Sequence, residues 1–532
     1  MVITSGRFNR FMISALALIW GYLLHASVVL STPEKAEEWT KHQAGSGTLD
    51  ASYRAVTQHT LTTDETRLDY TCTAASLTIT DKEAKPVSRI FYISYTANNQ
   101  FYYPRPVTFV FNGGPGAASA YLHMGALGPK RVEFGDNGKV LPMPARLLDN
   151  TKSWLLFTDM VFVDPVGTGY SREIEDDAGN TDEQKPKLSA DTPLGKRAWG
   201  VKEDADTIAR FIRSYLTNEE RWLSPIFLVG ESYGGFRVAR LSKLLQSDFG
   251  IAPSGLVLIS PALDFGLLWG NERSLWPWVA LLPSYTAVAA FHQRNRAVTY
   301  VADNPRVSLG EVERVALSEY LTGLADGDLK SSWIEQSSSL IGLDAEILKR
   351  WAGRVPPARF AKALLADQYR VVSLYDGSIT LVDSDPASQV LTGDPYLDRL
   401  NAPLTASFNS YVRNHLDFKT DLPYLLLNEE VFESWNWRSG IQGQQGFVEA
   451  AEDMKQSMSL NPHMRVLILH GVFDLVTPYY ASVITVNQLA LDPTIRGNIQ
   501  LKVYHGGHMP YLHHRSLDAI FEDVAQFYKS IQ

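Results

Sequence analysis

At 532 residues, with 45% hydrophobic and 20% charged side chains, the chain has the balance of a globular protein. It is longer than one minimal core requires, so one large domain with an insertion, or two domains, is expected. A net charge of −9 without a basic run argues against nucleic acid as a partner.

The N-terminus has the pattern of an export signal. Arg7 and Arg10 precede an apolar stretch from Phe11 to Leu24, and small residues follow around Ala26 to Ser31. That stretch is short for a spanning helix, which needs roughly twenty residues. Val28 to Leu30 extend it, so an uncleaved membrane anchor is the alternative to a cleaved signal over residues 1–31. Either way the expected location is periplasmic or secreted. The single cysteine, Cys72, cannot form an intramolecular disulfide, so the fold must rest on its core. That usage suits a bacterial periplasm, and Cys72 reads as a small packed side chain.

A polar segment follows from Thr32 to about Glu65. Strand-like runs then come at Ala75 to Thr80, Arg89 to Tyr95, Val107 to Asn112, Met160 to Val163 and Ile226 to Gly230. Further runs lie at Gly255 to Ile259, Arg465 to His470 and Ile499 to Tyr504. The later ones are short, apolar and β-branched, as strands buried on both faces should be. Helical spacing appears at Ala205, Ile208, Ile212 and Tyr215, and again over Phe236 to Leu245. This alternation predicts an α/β fold with a mostly parallel sheet flanked by helices, of the α/β-hydrolase type. Residues 66–264 and 426–532 form its core. Residues 265–425, mainly helical in pattern, are expected as a cap or lid inserted above the catalytic edge. Ser171 to Leu194 reads as a mobile surface loop.

Gly230-Glu231-Ser232-Tyr233-Gly234 is a G-x-S-x-G sequence after an apolar strand and before a helix, the setting of a nucleophile elbow. A serine hydroxyl needs a base to take its proton, and His508 in the loop after the last strand is the first candidate. His505, His513 and His514 compete with it. Asp474, just beyond the penultimate strand, is the candidate to orient the imidazole, with Asp264 as runner-up. The oxyanion needs two backbone donors, for which the amides of Tyr233 and Gly114 are expected. Gly114 lies in the glycine-rich loop Asn112-Gly113-Gly114-Pro115-Gly116. His470, Asp474 and the four C-terminal histidines also raise a metal-site reading, but their spacing matches no helical H-E-x-x-H pattern. No cofactor is implied.

These motifs resemble the serine carboxypeptidase family (peptidase family S10). The matching stretches are Asn112 to Gly116, Asp164-Pro165-Val166-Gly167-Thr168-Gly169-Tyr170-Ser171, Gly230 to Gly234 and Gly507-His508-Met509. The form Leu122-His123-Met124-Gly125-Ala126-Leu127-Gly128-Pro129 and the lack of disulfide cysteines look like a bacterial branch. The resemblance implies that Asn112, Gly113 and Glu231 bind the free C-terminal carboxylate of a peptide. A protonated Glu231 can donate to that group, whereas an ionised one repels it. Two positions depart from the family pattern: Val110 stands where its members carry Trp, and Ala126 where they carry a partner Glu. The leading expectation is a serine-type carboxypeptidase acting through an acyl-enzyme. An esterase or acyltransferase taking a small ester, and a non-catalytic binding protein on the same scaffold, are the alternatives.

Overall fold

Short runs of Val, Ile, Leu and Phe become strands because their side chains are buried on both faces of one large sheet. The computed structural model describes residues 54–98, 104–174, 198–269, 273–295, 297–329, 332–438 and 447–531. In chain order the strands are β1 (Arg54–Thr62), β2 (Arg67–Thr80), β3 (Pro86–Ala97), β4 (Val107–Phe111), β5 (Lys130–Val132), β6 (Leu147–Asp149) and β7 (Asp159–Val163). They continue with β8 (Arg172–Glu173), β9 (Ile226–Glu231), β10 (Gly255–Ile259), β11 (Arg370–Val372), β12 (Thr380–Val382), β13 (Arg465–Gly471) and β14 (Ile499–Tyr504).

The large sheet has the order β1-β2-β3-β7-β4-β9-β10-β13-β14, with β8 paired to β3. β1, β2 and β3 form an antiparallel meander, and β3 is antiparallel to β7. From β7 to β14 every neighbouring pair is parallel. β4, β7, β9 and β10 are buried along their whole length, as strands covered on both faces must be.

Alternate side chains feed two cores. Phe109, Phe111, Val161 and Leu228 pack with helices α1 (Val201–Asn218) and α2 (Tyr233–Phe249) on one face. Val110, Phe162 and Val229 share the other core with residues of α3 (Trp276–Phe291), α4 (Pro395–Asn414), α5 (Tyr479–Gln488) and α6 (His514–Lys529). On α1 the buried positions include Ala205, Ile208, Ile212 and Tyr215, which is the helical spacing read from the sequence. The fold is therefore of the α/β-hydrolase type, with helices on both sides of a mostly parallel sheet.

Several elements differ from expectation, among them the short strands β5, β6 and β8, the last lying within the stretch read as a surface loop from Ser171. The stretch read as a polar segment up to Glu65 contains β1, and β2 starts at Arg67 rather than Ala75. β1 is an edge strand that buries only Ala55 and Leu61 fully, so its ladder to β2 defines it and its hydropathy does not. Residues 265–425 are mainly helical but also carry the β11/β12 hairpin, whose two three-residue strands are too short for a periodic pattern. Cys72 is buried and unpaired. Residues 1–31, expected as a signal or anchor, lie outside the described residues, as does the expected surface loop beyond residue 174. Among the described residues no helix is long and apolar enough to cross a membrane.

Candidate active site

β9 delivers Glu231, a sharp turn presents Ser232, and α2 starts at Tyr233. Ser232 is held at φ 59°, a strained conformation for a residue with a side chain. Its amide donates to the Ile259 carbonyl (2.9 Å), and its carbonyl accepts from Gly235 and Ala262. A Cβ on Gly234 would come within 2.6 Å of the Phe111 carbonyl oxygen, so only glycine lets the turn close against β4. The loop after β4 is as tight. A Cβ on Gly113 would sit 2.7 Å from the Tyr233 nitrogen and 2.8 Å from the Ser232 Cβ. The glycine-rich loop thus lies directly against the elbow. Tyr233 is the first residue of α2, whose N–H has no acceptor within the helix.

Asp474 follows β13, and His508 follows β14. The His508 Nδ1 lies 2.8 Å from Asp474 Oδ2. Asp474 is fully buried, and its Oδ1 accepts the amides of Val476 (2.8 Å) and Thr477 (2.9 Å). The Thr477 hydroxyl stands 2.7 Å from Asp474 Oδ2 and 3.0 Å from His508 Nδ1. Burial alone would lower the pKa of His508. The charge and hydrogen bond of Asp474, with the nearby Glu231, outweigh it and hold the imidazole above its ordinary value. Asp264 instead caps a short 3-10 turn through the Gly266 amide. The competing histidines have other partners: His505 meets Tyr300, His513 meets Asp376, His514 meets Asp136, and His470 meets Ser482.

Glu231 is buried, and both carboxyl oxygens are engaged. The Asn112 side-chain amide donates to Oε2, and the Tyr511 hydroxyl donates to Oε1 at 2.8 Å. Asn112 is fixed in turn, because its Oδ1 accepts the Leu122 amide (3.0 Å) and its carbonyl accepts from Arg237 Nη1 (2.8 Å). Arg237, buried on α2, pairs with Asp204 of α1 at 2.6 Å. Burial pushes the Glu231 carboxyl up to about 7, and Asp474 adds to this; His508, Tyr511 and Asn112 pull the other way. Val110 and Ala126, the two departures, are fully buried side chains. The Ala126 carbonyl accepts from the Asn150 side chain. The group that meets Glu231 from the opposite side is a phenol.

The 164–171 stretch braces the glycine-rich loop from outside. Asp164 accepts from the Ser119 amide (2.9 Å) and hydroxyl (2.7 Å), and its buried carboxyl is raised to about 6, chiefly by loss of solvent. The returning segment locks both: Ala118 donates to the Leu426 carbonyl, Asn428 donates to Gly116, and the Asn428 side chain donates to Gly167. On the other side of the elbow, the Tyr233 ring packs edge-on against Trp435 and Trp437, which continue into Phe265 and Trp269. Sequence reasoning missed Thr477, Tyr511 and Arg237. The Asp-x-x-Thr spacing from Asp474 was a readable turn signal for Thr477. Nothing in the sequence marked the other two.

Residues 77–249 match the profile of a known family, described as serine carboxypeptidase. Among curated proteins, the chain is 24% identical over 252 residues to the serine carboxypeptidase-like 45 protein of Arabidopsis thaliana, covering 46% of this chain and 48% of that one. It is 31% identical over 137 residues to the pheromone-processing carboxypeptidase KEX1 of Saccharomyces cerevisiae, covering 25% and 16%. A retinoid-inducible serine carboxypeptidase of Rattus norvegicus is 28% identical over 200 residues, covering 34% and 36%. The chain thus spans about half the length of the first of these relatives and less of the others. Among solved structures, proline iminopeptidase of Mycobacterium smegmatis aligns at 12% identity over 86% of this chain and 98% of that one, with a TM-score of 0.35.

Proposed function

We propose, from the premise that residues 77–249 of this chain belong to the serine carboxypeptidase family, that it is a serine-type carboxypeptidase that removes C-terminal residues from peptides. In this reading Ser232 attacks the last peptide bond, and His508 takes the hydroxyl proton and returns it to the leaving amine. Asp474 keeps the imidazole in the tautomer with its proton on Nδ1, and Thr477 holds Asp474. The amides of Gly114 and Tyr233 receive the oxyanion. Water then releases the shortened peptide. Asn112, Gly113 and Glu231 take the free carboxylate of the substrate. Residues 265–425 serve as the cap over the cleft, and residues 1–31 direct the chain to the periplasm or the exterior.

One observation carries the choice of peptide over ester. Glu231 adjoins the nucleophile and is buried between Asn112 and Tyr511, with its pKa raised to about 7. A carboxyl that keeps its proton near neutrality can donate to a carboxylate, as Asn112 can. A simple ester has no use for such a donor.

The full chain is to be tested on matched peptides ending in a free carboxylate or an amide, and on a simple ester, across pH. The free-acid peptide should lose its last residue while the amide resists. Its rate should fall on the acid side as His508 gains a proton, and on the alkaline side, through about 7, as Glu231 loses its own. The ester should keep the acid limb and lack the alkaline one. Hydrolysis of the ester with both peptides ignored would make esterase the better name.

Tyr511→Phe tests the phenol separately. Its hydroxyl stabilises the ionised form of Glu231, so its removal raises the Glu231 pKa further. A hydrogen bond to a charged group is worth about 1.5 kcal/mol, equivalent to roughly tenfold in the ionisation equilibrium. On the alkaline side the variant should therefore outperform the parent on the free-acid peptide by up to about tenfold, with ester turnover little changed. Rate against pH for both substrates checks it.

A further inference from the structure

The loops that carry Asp474 and His508 are joined directly, by the Phe473 amide to the Gly506 carbonyl (2.9 Å), and also through a third segment. Between β11 and β12 lies a largely buried tip, Ser373–Ser378, contributed by the inserted region. It is anchored behind by the Ser373 hydroxyl, which donates to Asp394 (3.0 Å), and Asp394 also caps α4. In front it reaches both loops. On the acid side, the Leu475 amide donates to the Leu374 carbonyl (3.0 Å), and the Gly377 amide donates to the Phe473 carbonyl (3.0 Å). These two bonds bracket Asp474. On the base side, the His508 amide donates to the Tyr375 carbonyl, and the Gly507 amide donates to Asp376 Oδ2 (2.9 Å). The Tyr375 ring meets the His508 ring edge-on, with centroids 5.3 Å apart.

Asp376 is the centre of this contact. Its Oδ2 accepts from Gly507 and from His513 Nε2 (2.7 Å), and its Oδ1 accepts the Ser378 amide and hydroxyl. All four acceptor positions of a carboxylate are in use. There is no slack at Gly507, where a Cβ would clash with the Tyr375 carbonyl oxygen and with Asp376 Cα.

We propose that this hairpin tip fixes the separation and tilt of Asp474 and His508, with Asp376 as the positioning residue that acts through the Gly507–His508 backbone. The proposal rests on the serine-hydrolase reading of the site, but not on the nature of its substrate. The inserted region then completes the proton-transfer pair as well as covering the cleft.

Asp376→Asn replaces one oxygen by an amide group, so either Gly507 and His513 or Ser378 faces a donor in place of an acceptor. Misplacement of a catalytic group by about 1 Å costs on the order of 100-fold. The full chain and this variant are to be compared by the rate at which a fluorophosphonate labels Ser232, by kcat and KM, and by the downfield proton resonance shared by His508 and Asp474. Labelling and kcat should fall roughly 10- to 100-fold with KM nearly unchanged, and the resonance should move or broaden. Ser378→Ala, which only loosens Asp376, should show the same pattern at about threefold, and it decides the matter if the Asn variant does not fold. Variants that label at the parent rate with an unmoved resonance overturn the positioning role, even if their thermal stability drops. A parent that labels but leaves peptides intact overturns only the carboxypeptidase reading. A parent that takes no label removes both.

Discussion

Ser232→Ala should lower kcat on a free-acid peptide by about 10⁶-fold and abolish fluorophosphonate labelling, while the unfolding transition in urea stays in place. The size follows from the way such residues act as a unit, since loss of the nucleophile alone forfeits nearly the whole contribution of the acid and base behind it. Only the hydroxyl is removed. The bonds that shape the turn run through the backbone, from the Ser232 amide to Ile259 and from Gly235 and Ala262 to the Ser232 carbonyl. Helix α2 and the Glu231 contacts should therefore survive, and binding of the peptide with them. Retained affinity for a free-acid peptide in the dead variant, against weak affinity for its amide, would separate the carboxylate grip from the chemistry. Residual turnover near the parent rate would remove Ser232 as the nucleophile.

Asp474→Asn should cost about 10⁴-fold in kcat with KM close to that of the parent. The geometry gives the reason. Oδ1 of Asp474 accepts two backbone amides, from Val476 and Thr477, so the single oxygen of an asparagine must stay there. Its amide group then faces the Thr477 hydroxyl and His508 Nδ1. A donor at that place forces Nδ1 to accept, which puts the imidazole proton on Nε2 and leaves no lone pair for the serine proton. The charge that holds the His508 pKa up is also lost, so the acid limb of the residual rate should move to lower pH. Steady-state rates across pH check both. A loss of tenfold or less would mean that another group orients His508.

Much of this was legible in the sequence alone. The central parallel strands announced themselves because burial on both faces demands unbroken apolar runs, as in Gly255–Ile259. β14, read with them, is an edge strand that is half exposed and lacks such a run. Asp474 and His508 were legible because each leaves the end of such a strand in a loop, and the structure brings them within 2.8 Å. The value of Glu231 was legible only in part. Its place beside Ser232 is in the motif, but the burial that raises its pKa belongs to the assembled fold. Tyr511, Arg237 and Asp376 were silent, since their partners stand 280, 125 and 131 residues away in the chain. Local pattern carries no record of such distances. β1 was silent for a different reason: an edge strand can be polar and still complete its ladder.

The pairing of β10 with β13 has a kinetic side. Gly255 lies opposite Arg465, so these neighbours in the sheet are joined through roughly two hundred intervening residues. Closing so large a loop costs chain entropy, and pairings of such sequence separation form slowly. The half of the chain that emerges first carries Ser232 and the glycine-rich loop, and the half that emerges last carries Asp474 and His508. A nascent or half-folded chain thus holds a serine with no base beside it. On the proposed reading, the set of Ser232, His508 and Asp474 is complete only once the C-terminal strands have docked on the sheet.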